Sequence, residues 1–188
     1  MNADQRPDDR ARLHEIIRTR SFGRGEVRLA SGRVSDFYFD MKPSMLHSEG
    51  ALLIARLFYA EIAGSGAEFV GGLEMGAVPI TGAVSLYSQQ QGQPIGGIFV
   101  RKAVKDHGAK KRIEGLPRGE SISGRTVMVV EDVTTTGESA IAAVDVLREA
   151  GAEVVGVVSI VDRGEGAVEA FAARNLPFRA LFSASEFL

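Results

Sequence analysis

Residues 127–139 read VMVVEDVTTTGES, and the fold and the class of ligand both follow from this stretch. Four apolar residues, Val127, Met128, Val129 and Val130, run into two adjacent carboxylates, Glu131 and Asp132. A threonine-rich turn closed by Gly137 comes next, and then an apolar-periodic helix. A continuous apolar run bounded in this way predicts a strand covered on both faces, as in a parallel sheet. In such sheets ligands gather beyond the carboxyl ends of the strands, where Glu131 and Asp132 fall. Residues 134–138 then offer hydroxyls and the unpaired amides of a helix start, a ready anion site. Carboxylates repel phosphate, so a pair beside an anion cradle needs another task. Two tasks fit: accepting hydrogen bonds from ribose hydroxyls, or attracting magnesium. The structural alternative is an acidic cluster capping the helix through its dipole. The functional reading is a site for a phosphorylated sugar.

Working outward, the chain alternates strand and helix. Strands are predicted over 69–72, 95–100, 126–131, 154–161 and 178–182, and helices over 78–90, 137–150 and 166–174. This alternation predicts a parallel sheet with helices on both sides. The first third does not join the pattern. Residues 8–19 form a helix with Leu13, Ile16 and Ile17 on one face, and residues 21–25 break it. Residues 27–40 are irregular or β and end in the aromatic run Phe37, Tyr38, Phe39. Ser48 caps a helix to residue 63, whose Ala51, Leu52, Ala55, Leu57, Phe58 and Ile62 mostly face the core. This N-terminal part is expected to cap the sheet's carboxyl edge. One domain spans residues 1–188: an N-terminal helix and hood over about 1–45 and an α/β core over about 66–183.

Composition narrows the class. A formal charge of −2 over 188 residues gives no bulk footprint for nucleic acid. The absence of cysteine removes disulfides, thiolate chemistry and thiolate zinc sites, and is compatible with the cytoplasm. His14, His47 and His107 show no metal-ligand spacing. No apolar run approaches the roughly 18 residues of a membrane span, so no membrane is expected. The start, MNADQRPDDRAR, is neither signal peptide nor basic arm. Neither a phosphate loop of the G-x-x-x-x-G-K-[ST] type nor a strand-linked G-x-G-x-x-G occurs.

Residues 101–119, RKAVKDHGAKKRIEGLPRG, form a long loop rich in cations. Loops this long inside compact domains are usually lids or disordered. A solvated basic loop is the bland reading. A mobile lid is favoured by position, because the loop leaves the same sheet edge as Glu131 and Asp132. A lid would also keep water from a donor that hydrolyses.

The 127–139 stretch closely resembles the phosphoribosyl-diphosphate (PRPP) motif of type I phosphoribosyltransferases. Lys-x-x-Lys-Asp-His-Gly at 102–108 resembles the catalytic loop of the orotate phosphoribosyltransferase family. LASGRVSDFYFD at 29–40, GGLEMGAVPI at 71–80 and VDRGEG at 161–166 resemble that family's orotate hood, pyrophosphate loop and orotate-arginine segments. The resemblance runs from about residue 10 to 185. It implies a five-stranded parallel sheet flanked by helices, with a hood. It also implies a reaction: orotate and PRPP, with magnesium, give orotidine 5′-monophosphate and pyrophosphate in pyrimidine synthesis. A homodimer is implied too, whose 101–119 loop crosses to the partner site.

Residue by residue, the resemblance implies that Glu131 and Asp132 hold the ribose hydroxyls. Thr134, Thr135, Thr136, Gly137, Glu138 and Ser139 wrap the 5′-phosphate. Lys102, Lys105 and His107 meet the pyrophosphate and Arg101 binds it from the partner subunit or the same one, with Lys105, His107 and Asp132 as the catalytic set. Tyr38 and Phe39 contact the orotate ring and Arg163 its carboxylate, which suits a planar fork. An ion pair of Arg163 with Glu165 or Asp162 is the structural alternative. Magnesium is expected to arrive on the substrate, with no protein metal site. Two departures stand out: Ala30 and Glu74-Met75 occupy places where some members carry lysine. Lys42 is expected to compensate for one of them. A purine-using transferase and a PRPP-sensing regulator remain as alternatives.

Overall fold

The protein is described by a computed structural model over residues 6–28, 34–102 and 112–188. Ala30, Lys105, His107 and the middle of the 101–119 loop lie outside the described residues.

Helix α1 (Arg6–Arg20) buries Leu13, Ile16 and Ile17, with Asp8 and Asp9 in its first turn and Arg18 and Arg20 in its last, as the helix dipole favours. Strands β1 (Phe22–Arg28) and β2 (Val34–Phe39) pair antiparallel in a sheet of their own. A four-residue helix, α2 (Lys42–Met45), leads to α3 (Ser48–Ile62). The core then runs β3 (Phe69–Leu73), α4 (Ala77–Gln90), β4 (Gly96–Val100), β5 (Ile113–Glu114) and β6 (Thr126–Thr134). It continues through α5 (Glu138–Glu149), β7 (Glu153–Asp162), α6 (Ala167–Ala172) and β8 (Phe178–Ser183), and a 3-10 turn (Ala184–Phe187) follows.

The main sheet has the order β5-β4-β3-β6-β7-β8. All five strands expected from the sequence are present and parallel. The sheet has six strands rather than five because β5, only two residues long, adds antiparallel to β4. So short a strand has no periodicity to read; it exists because the long loop must return along the edge of β4. One face of the sheet packs Val70, Met128, Val130, Val158 and Ile160 against α1, α3 and α4. The other packs Val127, Val129, Val154 and Val157 against α5 and α6. Alternate residues of β6 thus serve opposite cores, as strand geometry requires.

Two details differ from expectation. The cap of α3 is His47, whose Nδ1 accepts from the Gly50 amide at 3.3 Å, and Ser48 is the first helical residue. An imidazole nitrogen on an extended residue serves as well as the hydroxyl that the sequence pattern favours. Leu52 is 46% exposed, while Leu53, Ile54, Leu57 and Phe58 are buried. The buried arc of α3 follows 50, 54, 57 and 58, and Leu52 falls outside it.

Close strand contact at the site end of β3 depends on Gly72. A Cβ there would collide with the Val130 carbonyl oxygen of β6 and lie 2.8 Å from Cβ of Ala77. Gly72→Ala should lower the unfolding free energy by about 3 kcal/mol, as overpacking does, measured by chemical denaturation.

Candidate active site

The carboxyl end of β6 carries Glu131 and Asp132 to the floor of a cleft. Glu131 is only 5% exposed, and its Oε2 has no hydrogen-bond partner among the described residues. Its Oε1 accepts from the Asp132 amide at 3.4 Å, and Asp132 Oδ1 accepts from the Val133 amide at 2.8 Å. Burial pushes the Glu131 carboxyl well above the usual carboxylate range, and the neighbouring Asp132 adds to the rise. A buried, unsatisfied carboxylate oxygen is expensive unless a ligand completes it. Asp132 points to the opposite side of the sheet and lies against the backbone of Gly76, at the start of α4.

Glu131 also lines a cavity of about 80 Å³ bounded by Val133 and residues 134–140. Gly137 precedes α5 with φ 85°, and no side chain caps the helix. That left-handed turn needs glycine, and Phe171 sits 3.1 Å from where a Cβ would be. The first amides of α5 therefore face the cavity without an intrahelical acceptor. Thr134 Oγ1 is buried there without a partner among the described residues. Thr134, Thr135, Thr136, Gly137, Glu138 and Ser139 are thus gathered as one cradle.

The long loop is pinned at both ends beside this cleft. The Arg101 amide donates to the Arg112 carbonyl at 2.8 Å, continuing the β4–β5 pairing. Glu74, in the β3–α4 turn, accepts from the Lys102 amide at 2.9 Å. Arg101 pairs with Glu114 at 3.7 Å. Lys42 is half-exposed or more and bonds Asp40 at 2.5 Å. That hydrogen bond raises its pKa, and Asp132 is near enough to add to the effect.

The strand beside β6 brings in the remaining cation. The Arg163 amide donates to the Thr134 carbonyl at 2.9 Å, tying the ends of β7 and β6. Its side chain is 4% exposed and pairs with Glu165 at 2.7 Å. Of the two partners considered from the sequence, Glu165 is the one used; Asp162 instead accepts from the Gly164 amide at 3.0 Å. Arg163 Nη2 donates to Ser35 Oγ at 3.0 Å, and its Cζ lies 4.3 Å from the Phe37 ring centroid. A cavity of about 750 Å³ runs past Ser35, Phe37, Arg163 and Glu165.

The aromatic run is therefore split. Phe37 faces Arg163, Phe39 packs edge-on against Phe187 at 5.2 Å, and Tyr38 is 41% exposed on the opposite face of β2. Sequence reasoning passed over Ser35 and Phe37 at this site. The period of two within β2 would have placed 35, 37 and 39 on one face. These groups offer unpaired amides at α5, carboxylate acceptors on β6 and a guanidinium at Arg163.

The titration of Glu131 has a consequence for stability. Below its unfolded value of about 4.3 it is protonated in both states and has no effect. As pH rises further the unfolded chain loses the proton first, so stability falls until the raised folded-state value is passed. Glu131→Gln should therefore melt higher than the parent at neutral pH, with the gap closing toward about pH 4, followed by thermal denaturation across pH.

The family model described as phosphoribosyl transferase domain matches residues 46–173. The orotate phosphoribosyltransferase of Bradyrhizobium diazoefficiens is 62% identical over 179 residues, 95% of this chain and 96% of that protein. That of Sorangium cellulosum is 45% identical over 181 residues, 96% of this chain and 93% of that protein. The crystal structure of Mycobacterium tuberculosis H37Rv orotate phosphoribosyltransferase in complex with PRPP is similar at a TM-score of 0.78 and 38% identity. It covers 95% of this chain and 98% of its own. The adenine phosphoribosyltransferase of Leishmania donovani, at 15% identity and a TM-score of 0.68 over 94% of this chain and 80% of its own, shares the fold alone. With a β-strand ending in two carboxylates, an open helix start beside it and full-length relatives at this identity, the chain belongs to the phosphoribosyltransferase family, in its orotate phosphoribosyltransferase branch.

Proposed function

We infer that the protein transfers the phosphoribosyl group of PRPP to orotate, giving orotidine 5′-monophosphate and pyrophosphate in pyrimidine synthesis. The observation that carries this reading is the meeting of three binding chemistries at one sheet edge. They are open amides at α5, a carboxylate pair on β6 and a buried arginine just beyond the end of β7. A base bearing a carboxylate calls for Arg163, which a purine would not need.

The 5′-phosphate would sit on the α5 amides and the hydroxyls of the 134–139 turn. Glu131 and Asp132 would accept from the ribose hydroxyls, and Glu131 Oε2 would thereby gain the partner it lacks. As the bond to pyrophosphate breaks, positive charge builds on the sugar in an oxocarbenium-like state. Two adjacent carboxylates favour that charge. Negative charge builds on the leaving pyrophosphate, opposite the cations of the loop. Lys102 and Arg101 stand at the loop's root; Lys105 and His107 lie outside the described residues, and their roles rest on the resemblance. Orotate is already an anion, so His107 is read as a hydrogen-bond donor or acid toward pyrophosphate rather than a base.

Arg163 would take the orotate carboxylate. Tyr38 and Phe39 are the ring contacts that the resemblance implies, and Phe37 is the aromatic ring beside Arg163. Lys42, close to Asp132, supports the idea that it replaces a lysine absent at Ala30 or Met75. The donor set at the site is carboxylate oxygen, which suits magnesium, carried in by the diphosphate. When bound, that ion neutralises charge on the leaving group. Among the described residues no helix is long and apolar enough to cross a membrane. A cytoplasmic homodimer with crossing loops completes the reading.

Mixing the protein with orotate, PRPP and magnesium should lower orotate's ultraviolet absorbance; no change would overturn the assignment. Arg163→Ala should raise the KM for orotate about tenfold or more, roughly 1.4 kcal/mol, with a smaller effect on the KM for PRPP. Equal effects in steady-state kinetics would remove Arg163 from the base site.

A further inference from the structure

We propose that Ser35 and Phe37, on strand β2 of the hood, are positioning residues that hold the Arg163 guanidinium in the orientation in which it receives the substrate's carboxylate. The proposal rests on reading Arg163 as the carboxylate-binding residue, and it adds what sets that residue's geometry.

An arginine side chain is long and has many rotamers, so a buried one needs fixing before it can act as a planar receptor. Three contacts from different directions do this. Glu165 Oε1 takes the Nε proton at 2.7 Å. Ser35 Oγ takes one Nη2 proton at 3.0 Å. The Phe37 ring, 4.3 Å from Cζ, supports the guanidinium from the side. A guanidinium carries five N–H donors. These contacts use Nε and Nη2, and among the described residues no acceptor meets Nη1.

Ser35 is itself held. Its hydroxyl donates to the Phe37 carbonyl at 2.9 Å and accepts from the Phe37 amide at 3.3 Å. With its single proton used, it meets Arg163 only as an acceptor. Ser35 and Phe37 are two residues apart, so they share one face of β2. They line the same cavity as Arg163 and Glu165. Glu165 is local to Arg163, in the β7–α6 turn. Ser35 and Phe37 come from 128 residues away in the case of the serine. The base pocket is thereby complete only when the hood is docked. The phosphate cradle and the carboxylate pair are built by β6 and α5 and do not depend on it.

The test is steady-state kinetics on the full chain. Ser35→Ala should raise the KM for orotate about tenfold, the loss of one hydrogen bond to a charged group, while the KM for PRPP and kcat stay near the parent values. Ser35→Thr, which keeps the acceptor, should restore the orotate KM, and Ser35→Val, of the same shape, should not. Added to Arg163→Ala, Ser35→Ala should have no further effect, because the two act as a unit. A parental orotate KM in Ser35→Ala, or a rise shared equally with PRPP, would overturn the proposal. Additive effects in the double variant would do the same. If Ser35→Ala does not fold, the Thr and Val pair decides by the same criterion. If Arg163→Ala alone shifts the orotate KM, only the positioning role falls. If Arg163→Ala leaves that KM unchanged, the carboxylate reading falls with it.

Discussion

A carboxylate kept out of water at the end of the central strand is the constraint on which the rest of the site depends. Glu131 follows four buried apolar residues of β6 and is nearly as buried as they are. Burying an ion costs several kcal/mol, while each large apolar side chain buried returns about 1.5–3 kcal/mol. No single contact offsets the cost. The flanking strands β3 and β7, and the helices on both faces, hold β6 so firmly that its end cannot relax toward solvent. The result is a polar atom without a partner among the described residues, on a side chain that lines a small cavity. Its pKa is raised by the same burial, so its charge is made costly until a ligand arrives.

Around that strand end the fold separates two tasks. The donor half is local in sequence: carboxylates, turn and helix start fall within residues 131–140. The base half is assembled from distant parts, with Arg163 just after β7 and Ser35 and Phe37 on β2. A third group, the root of the long loop, is fastened to β4 and to Glu74.

The sequence was legible where a signal is repeated along the chain. Apolar runs and 3.6-residue periodicity placed five parallel strands and the helices between them. They could not place β5, α2 or the closing 3-10 turn, which span two to four residues and exist because of contacts at their ends. The cap of α3 was misplaced by one residue because an imidazole took the acceptor's role usually given to serine. Leu52 was assigned inward because composition does not set the phase of a helix; packing against α1 and α4 does.

What the sequence determined by itself was the donor chemistry. Residues 127–139 encode a buried strand, two acids and a helix start, all covalently adjacent, so local geometry alone brings them together. What only the tertiary structure decided was the surroundings of Arg163. Its two nearby candidates, Asp162 and Glu165, were indistinguishable by spacing, and its contacts with Ser35 and Phe37 cross a gap of more than a hundred residues. Alternation along β2 turned Phe37 toward that arginine and Tyr38 away from it. The physical reason is that hydrogen bonds and ring contacts between distant segments are set by how the hood docks on the sheet, and no local pattern records that docking.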